Sequence, residues 1–173
     1  MTVTEQRQDY VRELVVNAPQ AHVLKSLTTL EGLAGWWAPA VSGDPTTGGE
    51  ITFKFVRPDG VETKVMRVDE STDDAVIWTC LEDDTHRDWE GTRIVFRLAA
   101  QGGDRTSLRF RHEGLVPQLD CYLQCEAGWD RFMASIAAYA ETGRGDPWRF
   151  RAPYPPRWPS RSRYSSWSIS PLA

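Results

Sequence analysis

His112 is the first side chain in this sequence that could do chemistry. In "RTSLRFRHEG" (105–114), Leu108, Phe110 and His112 alternate with Arg109, Arg111 and Glu113. That period of two puts His112 on the apolar face of a strand. An inward histidine can hold a ligand hydroxyl or carbonyl, or act as a general base. It can equally be a core residue satisfied by a neighbour, and that reading is the stronger one for a lone histidine. A second cluster is "EDDTHRDWE" (82–90), with Asp83, Asp84, His86, Asp88 and Glu90. Carboxylates and histidine can bind a divalent cation. This run lacks the spacing and the glycine of a calcium loop, so it reads as a solvated acidic hairpin loop. Cys121 and Cys125 lie four apart, with Cys80 the third cysteine. A zinc site needs about four ligands, and no second pair is present. An odd count without framework spacing reads as reduced thiols. No nucleophile elbow, phosphate loop or dinucleotide fingerprint occurs. No catalytic residue, metal ligand or cofactor is assigned.

The larger signal is aromatic. The chain has 173 residues and eight tryptophans. The candidate ligand-binding residues are Trp36, Trp37, Phe53, Phe55, Met66, Trp78, Phe96, Phe110, His112, Trp129, Phe132 and Met133. An apolar pocket with a few polar groups is the usual small-molecule site, and aromatic walls favour a flat ligand. Trp36 and Trp37, in "GLAGWWAP" (32–39), should diverge by about 100° if the segment is helical. The expectation is that Trp36 anchors the segment while Trp37 stands at a cavity mouth.

These residues need elements to position them. "YVRELVVNAP" (10–19) reads as a first strand ended by Pro19. Two short helices follow over 19–39, interrupted at Gly32 and Gly35 and stopped by Pro39. "EITFKFVRPDGVETKVMRVDE" (50–70) is two strands around an "RPDG" turn. "DAVIWTCLE" (74–82), "GTRIVFRLAA" (91–100) and residues 105–114 supply three more. The last two alternate strictly, so Phe96, Phe110 and His112 should face the core while Arg93, Arg97, Arg109 and Arg111 face solvent. Residues 118–143 form an amphipathic helix, with Tyr122, Cys125, Trp129, Phe132, Met133, Ile136 and Ala140 in its stripe and Gly143 as its stop. The expected class is α+β: a curved six-stranded antiparallel sheet around one long C-terminal helix, leaving a concave groove.

Residues 1–143 carry 14 Lys+Arg and 23 Asp+Glu, whereas residues 144–173 carry six and one. An acidic body argues against nucleic acid as partner of the folded domain. No apolar run approaches the roughly 20 residues that span a bilayer, and "MTVTEQRQDY" has no signal-peptide core. The expected compartment is the cytoplasm. The domain reading is a polar segment over 1–9, one domain over 10–143, and a tail over 144–173 rich in Arg, Pro, Ser and aromatics. Such a tail is expected to be extended or disordered.

The ordered set "VVNAPQAHVLKSLTT", "WWAP", "GGEITFKF", "PDG", "RVDE", "GTRIVFRL", "RTSLRFRHEGL" and "GWDRFMASIAAYAETG" resembles the START-like, Bet v 1-like (SRPBCC) helix-grip superfamily. Within it, the chain resembles the branch related to the C-terminal domain of the activator of Hsp90 ATPase. The resemblance covers roughly residues 10–143 and implies a hydrophobic cavity between helix and sheet. The function expected first is binding of a small hydrophobic, aromatic or polyketide-like molecule, with no catalysis required. A polyketide cyclase-like enzyme using His112 is the second reading. An interaction domain that partners an Hsp90-type chaperone is the third, and a homodimer also stands open.

Overall fold

The computed structural model describes residues 8–85 and 87–150. His86 and the tail beyond Phe150 lie outside the described residues, as do residues 1–7. The chain begins with β1 (Tyr10–Val16), α1 (Gln20–Thr28) and α2 (Leu30–Trp36), then β2 (Ala40–Gly43) and β3 (Glu50–Arg57). It continues with β4 (Gly60–Ser71), β5 (Ala75–Asp83), β6 (Arg93–Ala100), β7 (Thr106–Glu113) and α3 (Tyr122–Thr142). The strands form one antiparallel sheet in the order β1-β7-β6-β5-β4-β3-β2. The sheet therefore has seven strands, not six. The additional one is β2, four residues of sequence "AVSG" along the outer edge of β3. It has no buried position, so no alternation marks it in the sequence.

The strand register follows the period-two reading. In β3, Ile51, Phe53, Phe55 and Arg57 point inward, and in β4 so do Glu62, Lys64, Met66 and Val68. Phe96 pairs with Phe110 and Ile94 with His112 across β6 and β7. Arg93, Arg97, Arg109 and Arg111 lie on the exposed face, as alternation requires. Two register shifts, at Val65/Met66 and at Val68/Glu70, interrupt the β4–β5 ladder. Such bulges increase local twist and bend the strand.

The long helix starts later than expected. Residues 117–121 form turns, with Leu119 N–H donating to Val116 C=O and Tyr122 N–H to Leu119 C=O. Its end is as read: Gly143 adopts φ 81°, and its N–H donates to the Tyr139 carbonyl. Trp129, Phe132, Met133, Ile136 and Ala140 are buried against the sheet and the short helices, while Tyr122 and Cys125 are half-buried. α2 comes very close to α3, since a Cβ on Gly35 would lie 2.2 Å from the Tyr139 ring. Only glycine permits that approach. Among the described residues no helix is long and apolar enough to cross a membrane.

Candidate functional site

Trp36 and Trp37 end α2 on the inner side of the sheet. Trp36 is fully buried; its Nε1–H donates to the Ser26 carbonyl at 2.8 Å, and its own carbonyl accepts from Ser135 Oγ at 2.7 Å. It is the anchor. Trp37 leaves the helix at φ −119°, ψ −73°. Its ring therefore does not diverge from that of Trp36. The two lie nearly parallel, 5.8 Å apart. Trp37 is also buried, at 2% exposure, so it forms an inner wall and not a mouth. It is the hub of an aromatic cluster, with ring centroids 4.3 Å from Phe53, 5.2 Å from Trp129, 6.1 Å from Trp78 and 6.4 Å from Trp89.

Beside this hub is a cavity of about 130 Å³. Among the described residues six aromatic rings line it: Trp37, Phe55, Trp89, Trp129, Phe132 and Trp148. Arg57, Glu62 and Lys64 bring charge to the wall, and Gln124, Cys125 and Gly128 contribute from α3. Of the candidates named from the sequence, the structure brings Trp37, Phe55, Trp129 and Phe132 to this wall. Trp36, Phe53, Met66, Trp78, Phe96, Phe110, His112 and Met133 do not line it. They are buried in the core around it.

The charges on the wall are all matched. Lys64 Nζ lies 2.8 Å from Asp83 Oδ1, its direct cross-strand partner, with side chains 9% and 0% exposed. Arg57 pairs with Glu62 at 2.9 Å, both buried. Lys64 also sits 4.3 Å from the centre of the Trp89 ring, a cation–π contact. A buried charge is tolerable only with such partners.

The segment 82–90 is only partly solvated: Glu82, Asp84 and Arg87 are exposed, but the rest of its described residues turn inward. Asp83, Asp88 and Trp89 are buried. Asp83 accepts from the backbone N–H groups of Thr85 and Trp89, and Asp84 Oδ1 accepts from Thr63 N–H at 2.7 Å. The carboxylates are used to fold the loop inward and deliver Trp89 to the cavity. Among the described residues no group of His, Cys, Asp and Glu is placed to hold a metal ion.

His112 is fully buried, and both ring nitrogens are engaged. Trp129 Nε1–H donates to Nδ1 at 3.1 Å. The proton therefore resides on Nε2, which donates to Thr92 Oγ1 at 2.8 Å. Thr92 Oγ1 in turn donates to the Trp89 carbonyl at 2.6 Å. Burial, with the Lys64 charge adding to it, lowers the His112 pKa to about 3. The ring is neutral and structural. It ties the Trp129 and Trp89 walls together and has no lone pair free for a substrate.

The three cysteines are free thiols. Burial pushes Cys80 up to about 12. A hydrogen bond with Cys125, and then burial, push Cys121 up as well. Cys125 accepts a hydrogen bond from Trp89 Nε1 at 3.2 Å. Cys80 and Cys121 are therefore packing thiols rather than nucleophiles.

Sequence reasoning missed Trp89, Trp148 and the charged wall. Arg57, Glu62 and Lys64 share strand parity with Phe55 and Met66, and that parity was the available signal. Trp148 belongs to residues 144–150, assigned by sequence to the extended or disordered tail. These residues run without helix or strand back over α3. Asp146 N–H donates to Ser135 Oγ, Arg131 holds Asp146 and the Pro147 carbonyl, and Trp148 N–H donates to the Trp37 carbonyl at 2.7 Å. The rest of the tail lies outside the described residues.

Residues 17–141 match the model of the family described as activator of Hsp90 ATPase homolog 1-like protein. The chain belongs to that family. Its SRPBCC-type fold agrees with the resemblance read from the sequence. The solution structure of the Aha1 dimer from Colwellia psychrerythraea is similar at 26% identity and TM-score 0.67, covering 80% of this chain and 99% of that one. The crystal structure of SSP2350 from Staphylococcus saprophyticus shares the fold at 17% identity and TM-score 0.62, over 80% of this chain and 96% of that one. DynU16, from the dynemicin biosynthetic locus, shares it at 22% identity and TM-score 0.61. That match covers 79% of this chain and 48% of DynU16. A search of the curated proteins found no match.

Proposed function

We propose that this domain binds a small hydrophobic molecule in the cavity between the sheet and α3. One observation carries the reading: a cavity of about 130 Å³ whose walls include four tryptophans and two phenylalanines. An apolar, ring-lined space with a few placed polar groups is the usual form of a small-molecule site. The absence of a free base on His112 places binding ahead of cyclase-type catalysis. The testing experiment is native mass spectrometry of the purified chain, with a melting-temperature screen of apolar compounds. A co-purified small molecule, or a saturable rise in melting temperature, supports the proposal. No bound mass and no stabilisation across a broad panel defeat it.

A second reading has its own support. The family match and the likeness to the Aha1 dimer favour an interaction domain for an Hsp90-type chaperone, working as a homodimer. A pull-down with an Hsp90-type protein and light scattering on the purified chain test the two parts of it.

A further inference from the structure

We propose, resting on the binding reading above, that the ligand is an uncharged aromatic molecule of a single ring, and that Trp148 sets this size limit as the cavity's outer wall.

Size comes first. An apolar cavity of roughly 150 Å³ accommodates one benzene, and the present one measures about 130 Å³. A single ring is enclosed by walls of this size, whereas the further rings of a fused or linked compound would have to project past Trp148. Charge comes second. The wall presents Arg57, Lys64 and Glu62, but Arg57 is matched by Glu62 and Lys64 by Asp83, each within 3 Å. A ligand carboxylate or ammonium would leave water and find every opposite charge already engaged. One face of the Trp89 indole already carries the Lys64 ammonium, 4.3 Å from the ring centre. A neutral ring loses no such hydration and can stack on the indoles.

The limit on size is local to one residue. Trp37, Phe55, Trp89, Trp129 and Phe132 are all buried, whereas Trp148 is half-buried and meets Phe55 edge-on at 5.5 Å. Of the six described rings it is the one that reaches solvent. It is held by the strap over residues 144–150, past the end of the family match at residue 141. A Cβ on Gly145 would lie 2.6 Å from the Gly35 carbonyl, so the strap lies flat on α2. Removing the Trp148 ring opens the cavity outward without disturbing the helix–sheet core.

The test is calorimetric titration of the full chain at pH 7 with four probes: benzyl alcohol, benzoate, benzylamine and 2-naphthalenemethanol. Benzyl alcohol is expected to bind saturably. The two charged one-ring probes are expected to bind at least about tenfold more weakly, as befits a buried charge without a partner. 2-Naphthalenemethanol is expected to bind Trp148→Ala and not the wild type, with Trp148→Phe intermediate. Circular dichroism melts confirm that both variants fold. Equal affinity for charged and neutral probes overturns the proposal and leaves the binding reading intact. So does tight binding of 2-naphthalenemethanol to the wild type. If no apolar compound binds the wild type or either variant, the binding reading falls with it.

Discussion

The buried histidine makes the fold sensitive to acid in a definite window. An unfolded chain exposes His112 with a pKa near 6.5, whereas the native ring, enclosed by Trp129, Trp89 and Thr92, is lowered to about 3. Above pH 6.5 the ring is neutral in both states and contributes no pH dependence. Below it, the unfolded chain takes up a proton that the native chain refuses. The unfolded state then binds more protons, so unfolding free energy falls as pH falls, by about 1.4 kcal/mol per unit. The loss continues until the native ring itself titrates. Between pH 7 and pH 5 it amounts to about 2 kcal/mol. His112→Asn leaves hydrogen bonds unmade and should cost about 1–3 kcal/mol at pH 7, but it cannot show this pH dependence. Urea unfolding of wild type and variant at pH 7, 6 and 5 provides the assay. The stability gap between them should close by about 2 kcal/mol as pH falls. Parallel curves over that range would refute the assignment of His112 as neutral and enclosed.

Other expectations follow from the same geometry. Trp129→Ala removes a buried indole that contacts Trp37, Trp89 and Phe110 and donates to His112, so it should cost about 3–5 kcal/mol in denaturant unfolding. Lys64→Met leaves Asp83 buried without its cation and should cost about 3–5 kcal/mol in denaturant unfolding. Ser135→Ala removes the hydroxyl that joins Asp146 N–H to the Trp36 carbonyl. Stability should fall by about 1 kcal/mol, with faster amide exchange across residues 144–150. Thr92→Val keeps shape but strands His112 Nε2–H, while the Trp89 carbonyl keeps its bond from the residue-92 N–H, so it should cost about 1–3 kcal/mol by melting.

Much of the fold was legible because strands of this sheet are wet on one face. Alternation at 91–100 and 105–114 placed Phe96, Phe110 and His112 inward and the four arginines outward. The helical stripe placed Trp129, Phe132 and Met133 on α3. β2 was illegible because a short exposed edge strand needs only a backbone partner, not a pattern. The site was harder to read than the fold. Twelve candidates were named by residue type, and the four at the cavity wall are those that converge from α2, β3 and α3, a convergence set by tertiary packing. Trp89 was hidden by charge. Acidic neighbours look solvated in sequence, yet Asp83 and Asp84 are consumed by backbone N–H groups and by Lys64. Trp148 was hidden by the prolines and arginines around it, since extended backbone pinned by Ser135 and Arg131 leaves no periodic trace.

The most direct test of the account is a two-dimensional NMR titration of the full chain with benzyl alcohol, following the tryptophan indole N–H signals. Saturable shifts are expected to be largest for Trp37, Trp89, Trp129 and Trp148, which line the cavity, and small for Trp36, whose N–H is held by the Ser26 carbonyl. Absent shifts, or saturable shifts confined to tryptophans away from the wall, would contradict the claim that this cavity is the binding site.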